Sequence, residues 1–248
     1  MEDNAAIYLE HVSKSFGNGK VLDDVTFTVR KGSAFCILGR SGTGKSVTLK
    51  QIMGLMKPDT GRIFVEGEEI TVLSSRELSR VRKRMGFLFQ NAALFDSLTV
   101  GENVAFPLRR HTKESDEEIR ERVSRKLAEV GLEKEYDKMP GDLSGGMKKR
   151  AGLARALAMD PSILLVDEPS AGLDPITSAE IDNLLLDLKS MESVTVVVVT
   201  HNIPSARRIA DEMVVLHEGR IIAQGTVQEL DQNQHPIVQA FLQSKEGG

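Results

Sequence analysis

A chain of 248 residues with 40% hydrophobic content can bury a core as one ordinary domain, or as one domain carrying an insertion, and default disorder is excluded. The formal charge of -4 gives no general pull toward nucleic acid, so no nucleic-acid partner is expected, and the single cysteine, Cys36 in "AFCILG", excludes an internal disulfide and reads as a buried apolar side chain. No apolar run approaches the roughly 20 residues that span a bilayer, and "MEDNAAIYLEH" lacks the pattern of a signal peptide, so the chain is expected in the cytoplasm unless a partner recruits it to a membrane.

In chain order, "IYLEHV" and "VTFTV" read as strands around an Asn18-Gly19 turn, the second alternating Val25, Phe27 and Val29 with threonines. "KGSAFCILG" is an apolar strand leading into a glycine-rich loop, and "SVTLKQIMGLM" has helical spacing until Pro58 and Gly61 end it. The middle of the chain changes character. Ile119, Val123, Leu127 and Val130 form one helical stripe, Ser115 and Glu118 are spaced for a capping box, and Glu118-Arg122 and Glu121-Arg125 for i,i+4 ion pairs. From Ser162 onward "ILLV" and "VTVVVV" are apolar throughout, which implies strands covered on both faces of a parallel sheet. A hairpin turning at Glu218-Gly219 and a short helical tail follow. The partition is therefore an α/β core, residues 1–90 and 161–248, interrupted by a mostly helical insert over 91–160 within one domain.

The stretch "GRSGTGKS" carries the first chemistry. Gly39, Arg40, Ser41, Gly42, Thr43 and Gly44 form a loop whose backbone N–H groups can wrap a polyphosphate at a helix N-terminus. Lys45 then reaches the β and γ phosphates and Ser46 binds Mg²⁺. In "ILLVDEP" the strand-end Asp167 can hold the metal through water, and Glu168 beside it can orient or deprotonate a water for attack on the γ-phosphate. ATP and Mg²⁺ are the expected cofactors.

Together with "LSGGM" at Leu143–Met147, "ARAL" after it, Gln90 after "FLF", "AGLD" ending at Asp174 and His201 after "VVVVT", these residues make the chain resemble the ATP-binding subunit of an ABC transporter over nearly its whole length. The resemblance implies an α/β P-loop NTPase core with a mostly parallel sheet, an N-terminal antiparallel β subdomain and an inserted α-helical subdomain. It also implies that Phe16 stacks on adenine, that Gln90 belongs to the Mg²⁺ environment with Ser46 and Asp167, and that His201 touches the γ-phosphate. Ser144, Gly145 and Gly146 would cover the nucleotide of a second copy, and Asp174 would link the two sites. The expected partners are that second copy, integral membrane permease subunits and an MCE-domain lipid-binding protein, because "LSGGMKKRAGLARAL" and "DEPSAGLDPI" resemble the ATPases of MCE-type phospholipid transport systems. The resemblance puts the chain on the inner face of the plasma membrane. Uptake of a small polar solute stays open beside lipid movement, and a non-transport ATPase of the same family is the third reading.

Two further expectations concern the insert. Lys148, Lys149 and Arg150 read as the solvated face of a helix, with phosphate contact the alternative. Leu94, Phe95, Leu98 and Phe106 are candidates to line a groove for a short helix of a membrane subunit, or else to pack within the insert.

Overall fold

The computed structural model describes residues 4–17, 19–192 and 194–243, so Asn18 of the expected turn lies outside the described residues. Strands β1 (Ala5–Phe16) and β2 (Gly19–Arg30) form an antiparallel pair in which Leu9 faces Phe27 and Val12 faces Val25. The alternation read in the sequence holds, with Val25, Phe27 and Val29 buried and Thr26 exposed. Next come β3 (Ala34–Leu38), α1 (Lys45–Ile52), β4 (Thr60–Val65), β5 (Glu68–Glu69), α2 (Ser75–Arg82) and β6 (Met85–Leu88). The antiparallel sheet has the order β2-β1-β4-β5.

Three helices follow: α3 (Val100–His111), α4 (Asp116–Glu129) and α5 (Gly145–Leu157). The chain then runs through β7 (Ile163–Asp167), α6 (Pro175–Glu192), β8 (Thr195–Thr200), α7 (Ile203–Ile209), β9 (Glu212–His217), β10 (Arg220–Gly225), α8 (Val227–Asp231) and α9 (Pro236–Gln243). The second sheet has the order β10-β9-β3-β8-β7-β6. All its neighbouring strands are parallel except β9 and β10, which form the hairpin expected at Glu218-Gly219.

Every residue of β3, β7 and β8 is buried, because both faces of this sheet are covered. Cys36, Leu38, Leu164, Val166, Val196 and Val198 pack into one core with residues of α3 to α7. Phe35, Ile37, Leu165, Val197 and Val199 point the other way, into a core shared with α1 and the antiparallel sheet. Burial pushes the Cys36 thiol far up, so it stays an inert packing group, as expected from "AFCILG".

Two local expectations are corrected. The first helix ends at Ile52 rather than near Pro58. The Gly54 N–H turns back to Gln51 O (2.9 Å) and the Leu55 N–H to Lys50 O (2.8 Å), while Arg82 donates to Met53 O (3.0 Å) and Gly54 O (2.7 Å). The carbonyls beyond the helix end are thereby satisfied by a side chain from α2. On α4 the Ser115-Glu118 capping box forms, which occupies Glu118, and Arg122 pairs with Glu114 (3.0 Å) and Asp160 (3.2 Å) instead. Neither expected i,i+4 ion pair appears among the described residues. The apolar stripe of α4 is buried as read.

Asn103, fully buried on α3, shapes the loop before it. Its Oδ1 accepts from the Phe95 N–H (2.8 Å), and its Nδ2 faces the carbonyls of Phe95 (3.1 Å), Leu98 (3.1 Å) and Thr99 (3.0 Å). Asn103→Leu would strand these backbone groups at a cost of about 1–3 kcal/mol. Thermal unfolding should shift down by about 2–4 °C per kcal/mol. An unchanged melting temperature would mean that water replaces the amide.

Candidate nucleotide site

The C-terminal ends of β3, β8 and β7 lie side by side, since Leu38 pairs with Thr200 and Val199 with Asp167. The residues that follow these strands therefore converge at one edge of the sheet, where open α/β folds bind ligands. From β3 comes the loop 39–44, from β7 come Asp167 and Glu168, and from β8 comes His201.

The loop is built for close approach. A Cβ on Gly39 would sit 2.5 Å from Leu216 O and 2.7 Å from Thr43 Oγ1, and Gly44, the N-cap of α1, has φ 103°. Lys45, buried at the start of α1, turns its ammonium back into the loop and donates to Gly39 O (2.8 Å) and Arg40 O (3.0 Å). Its Nζ also lies 3.3 Å from Glu168 Oε1. The other oxygen of that carboxylate, Oε2, is 2.9 Å from His201 Nδ1 and accepts from the His201 backbone N–H (3.3 Å). Lys45, Glu168 and His201 thus form one connected row at the mouth of the loop.

Ser46 Oγ donates to Asp167 Oδ1 (2.9 Å). Burial raises the Asp167 pKa, with the Ser46 hydrogen bond opposing the shift, so this carboxylate sits where a cation would favour its ionised form. A hydroxyl and a carboxylate are the hard oxygen donors that Mg²⁺ prefers. Among the described residues no cluster of three His, Cys, Asp or Glu side chains could hold a metal alone, so an ion here would take the rest of its shell from phosphate and water.

Other predicted residues sit apart from this row. The side chain of Gln90 is exposed and makes no hydrogen bond to Ser46 or Asp167 among the described residues; what is held is its carbonyl, which accepts from Lys149. Phe16 is 48% exposed at the end of β1 with the Lys14 ammonium 5.6 Å from its ring, so it is free of the core and can offer a face to a base. Ser144 caps α5, its Oγ accepting from the Met147 N–H (3.3 Å), and Ser144 and Gly145 are exposed. Gly146 is buried, with no room for a Cβ against Thr177. Asp174 accepts from the N–H groups of Ile176 and Thr177 (3.0 Å each) and from the Thr177 hydroxyl (2.6 Å), bonds that hold its pKa down. No hydrogen bond joins Ser144, Gly145 or Gly146 to the loop 39–46 among the described residues.

The reading of Lys149 is corrected. It is buried, and it donates to the carbonyls of Gln90 and Glu168 (3.0 Å), while burial lowers its pKa. Its position was available from periodicity, since Gly146, Lys149, Leu153 and Leu157 share the buried stripe of α5. Arg155, also missed, donates to Ala92 O (2.6 Å) and Ala93 O (2.7 Å).

This fold, with a glycine-rich loop at a helix N-terminus opposite an acidic strand end, is that of a P-loop nucleotide hydrolase. Residues 22–171 match the family model described as "ABC transporter". The chain is 44% identical over 243 residues to the "Probable ribonucleotide transport ATP-binding protein mkl" of Mycobacterium tuberculosis (strain ATCC 25618 / H37Rv), covering 98% of this chain and 68% of that protein. It is 42% identical over 244 residues to the "Intermembrane phospholipid transport system ATP-binding protein MlaF" of Escherichia coli (strain K12), covering 98% and 91%. Among solved structures, a dimeric post-hydrolysis state of the ATP-binding cassette MJ0796 bound to ADP and Pi superposes with a TM-score of 0.83 at 34% identity, covering 89% of this chain and 98% of that one. The protein cbiO1 from Clostridium perfringens, part of the ABC transporter complex cbiONQ, gives 0.85 at 32% identity, covering 97% and 96%. The chain belongs to the ABC transporter family and is an ATP-binding, ATP-hydrolysing subunit of it.

Proposed function

We propose that two copies of this chain close around ATP and drive membrane subunits that move phospholipid or a related lipid. The observation that carries the catalytic part is the row Lys45, Glu168, His201 beside the Ser46-Asp167 pair. In this reading the loop amides and Lys45 hold the phosphates, Glu168 takes a proton from the attacking water, and His201 orients Glu168 and meets the γ-phosphate. Ser46, Asp167 and Gln90 make up the Mg²⁺ environment, and a bound Mg²⁺ supplies positive charge to the β and γ phosphate oxygens. Phe16 offers its ring to adenine. The exposed N-terminus of α5, with Ser144 and Gly145, is a second anion site on a chain that has one nucleotide loop, which fits a nucleotide shared with a second copy. Asp174 then lies at the seam.

The membrane partner has a candidate seat. A groove of about 660 Å³ is lined by Phe89, Phe95, Phe106, Pro107, Met53 and Met85, with Arg82, Lys83 and Arg155 adding positive charge. Phe95 and Phe106 line it as expected; Leu94 packs against the core, and the Leu98 carbonyl is tied to Asn103. We read the groove as the seat of a short amphipathic helix from a permease, and residues 91–160 as the unit that moves with it. Phe95→Asp should abolish co-purification with the membrane subunits; full recovery of the complex would reject the groove as their seat. Among the described residues no helix is long and apolar enough to cross a membrane, which fits a chain held by permeases on the cytoplasmic side of the inner membrane.

The lipid assignment is supported by the MlaF relatives, aligned over 91% of the Escherichia coli protein. The mycobacterial relatives carry a ribonucleotide-transport name, which favours a polar cargo as the second reading. Isolation of the assembled complex in mild detergent separates the two. An MCE-domain protein and bound phospholipid are expected, whereas a solute-binding protein with ATP turnover stimulated by ribonucleotide would overturn the lipid reading.

A further inference from the structure

We infer that Lys149 positions Glu168 by gripping its peptide, and ties that peptide to the loop that opens onto the groove. This rests on the reading of Glu168 as the group that activates water. Glu168 has φ 46°, a left-handed conformation that a non-glycine residue keeps only when its surroundings fix it. On the β8 side its N–H donates to Val199 O (2.9 Å). Its carbonyl accepts from the Ala171 N–H (3.2 Å) and, on the β6 side, from Lys149, whose ammonium, on a residue 5% exposed, donates to Glu168 O (3.0 Å) and to Gln90 O.

The two carbonyls lie at the same level. Leu88 pairs with Val166, the last pair of the β6-β7 ladder, and Gln90 and Glu168 each follow it by two residues. Lys149 therefore supplies a cross-link where backbone pairing has stopped. The loop from Gln90 is tied to the same helix again by Arg155, which holds the carbonyls of Ala92 and Ala93, residues with φ 56° and 49°. Ala93, Phe95 and Arg155 also line the groove. One helix thus grips the peptide of the catalytic carboxylate and the wall of the proposed partner seat. For folding alone, a neutral donor would satisfy these carbonyls at position 149, since a buried cation is costly to desolvate.

The test compares the full-length chain with Lys149→Met and Lys149→Leu, which lack donors, with Lys149→Gln and Lys149→Arg, which keep them, and with Glu168→Gln. Each is assayed for ATP turnover, for binding of a non-hydrolysable ATP analogue and for melting temperature. The donor-free variants should keep ATP affinity and KM while kcat falls by about 100-fold, the scale of a misplaced catalytic group. At least one donor-bearing variant should recover most of kcat. Unchanged kcat in the folded donor-free variants, a loss of affinity matching the loss of turnover, or no recovery by either donor-bearing variant would overturn the inference. Normal hydrolysis by Glu168→Gln would instead remove the reading it rests on.

Discussion

Glu168→Gln is expected to bind ATP at least as tightly as the unaltered chain and to hydrolyse it at least about 100-fold more slowly, the lower end of what a positioned general base contributes. Glutamine has nearly the same shape, so the contacts of the Glu168 backbone with Val199 and Lys149 should persist. What disappears is the proposed proton acceptor. Binding should not suffer, because the carboxylate stands 3.3 Å from Lys45 Nζ, where it competes with phosphate for the ammonium. Phosphate release and titration with ATP check the two halves separately. Turnover within a few-fold of normal would place the base elsewhere, with His201 the nearest titratable group.

Lys45→Ala should weaken ATP binding by orders of magnitude. Lys45 is the cation that faces both the phosphate loop and the buried Glu168 carboxylate, and its loss leaves that carboxylate without its lysine partner beside the incoming γ-phosphate. Truncating one partner of a buried charge pair costs about 2–5 kcal/mol. At about 1.4 kcal/mol per tenfold in affinity, this corresponds to a loss of roughly 30-fold to several thousand-fold. Calorimetry with a non-hydrolysable analogue reads it directly. Near-normal affinity would mean that the loop amides alone hold the phosphates.

The sequence made the strand–glycine loop–helix unit, the acidic strand end and the parallel sheet legible because each depends on local pattern: glycines at fixed spacing, or an apolar run without alternation. The α4 capping box was legible for the same reason, yet its ion pairs were not. Glu118 cannot serve both the cap and Arg122, and Arg122 finds Asp160, which follows α5 and lies far along the chain. The α1 terminus was missed because Arg82, supplied from another helix, satisfies the carbonyls there. Lys149 was misread for a related reason. A charge in "MKKR" suggests solvent, and only the strand ends beneath α5 provide the carbonyls that make burial tolerable. The groove was half legible: its aromatics were visible, but the buried Asn103 amide that holds the Phe95 backbone in place was not.

The most direct measurement is the mass of the ATP-loaded Glu168→Gln chain by size exclusion with light scattering, alone and combined with Gly145→Glu. Gly145 is exposed, and a Cβ there would meet only Leu173 Cδ2 at an ordinary 3.4 Å, so the added side chain should leave the single chain undisturbed. A nucleotide trapped between two copies predicts twice the chain mass for Glu168→Gln with ATP, and a single-chain mass with ATP still bound once Gly145→Glu is added. A Glu168→Gln chain that stays single while saturated with ATP, or a pair indifferent to Gly145→Glu, would contradict it.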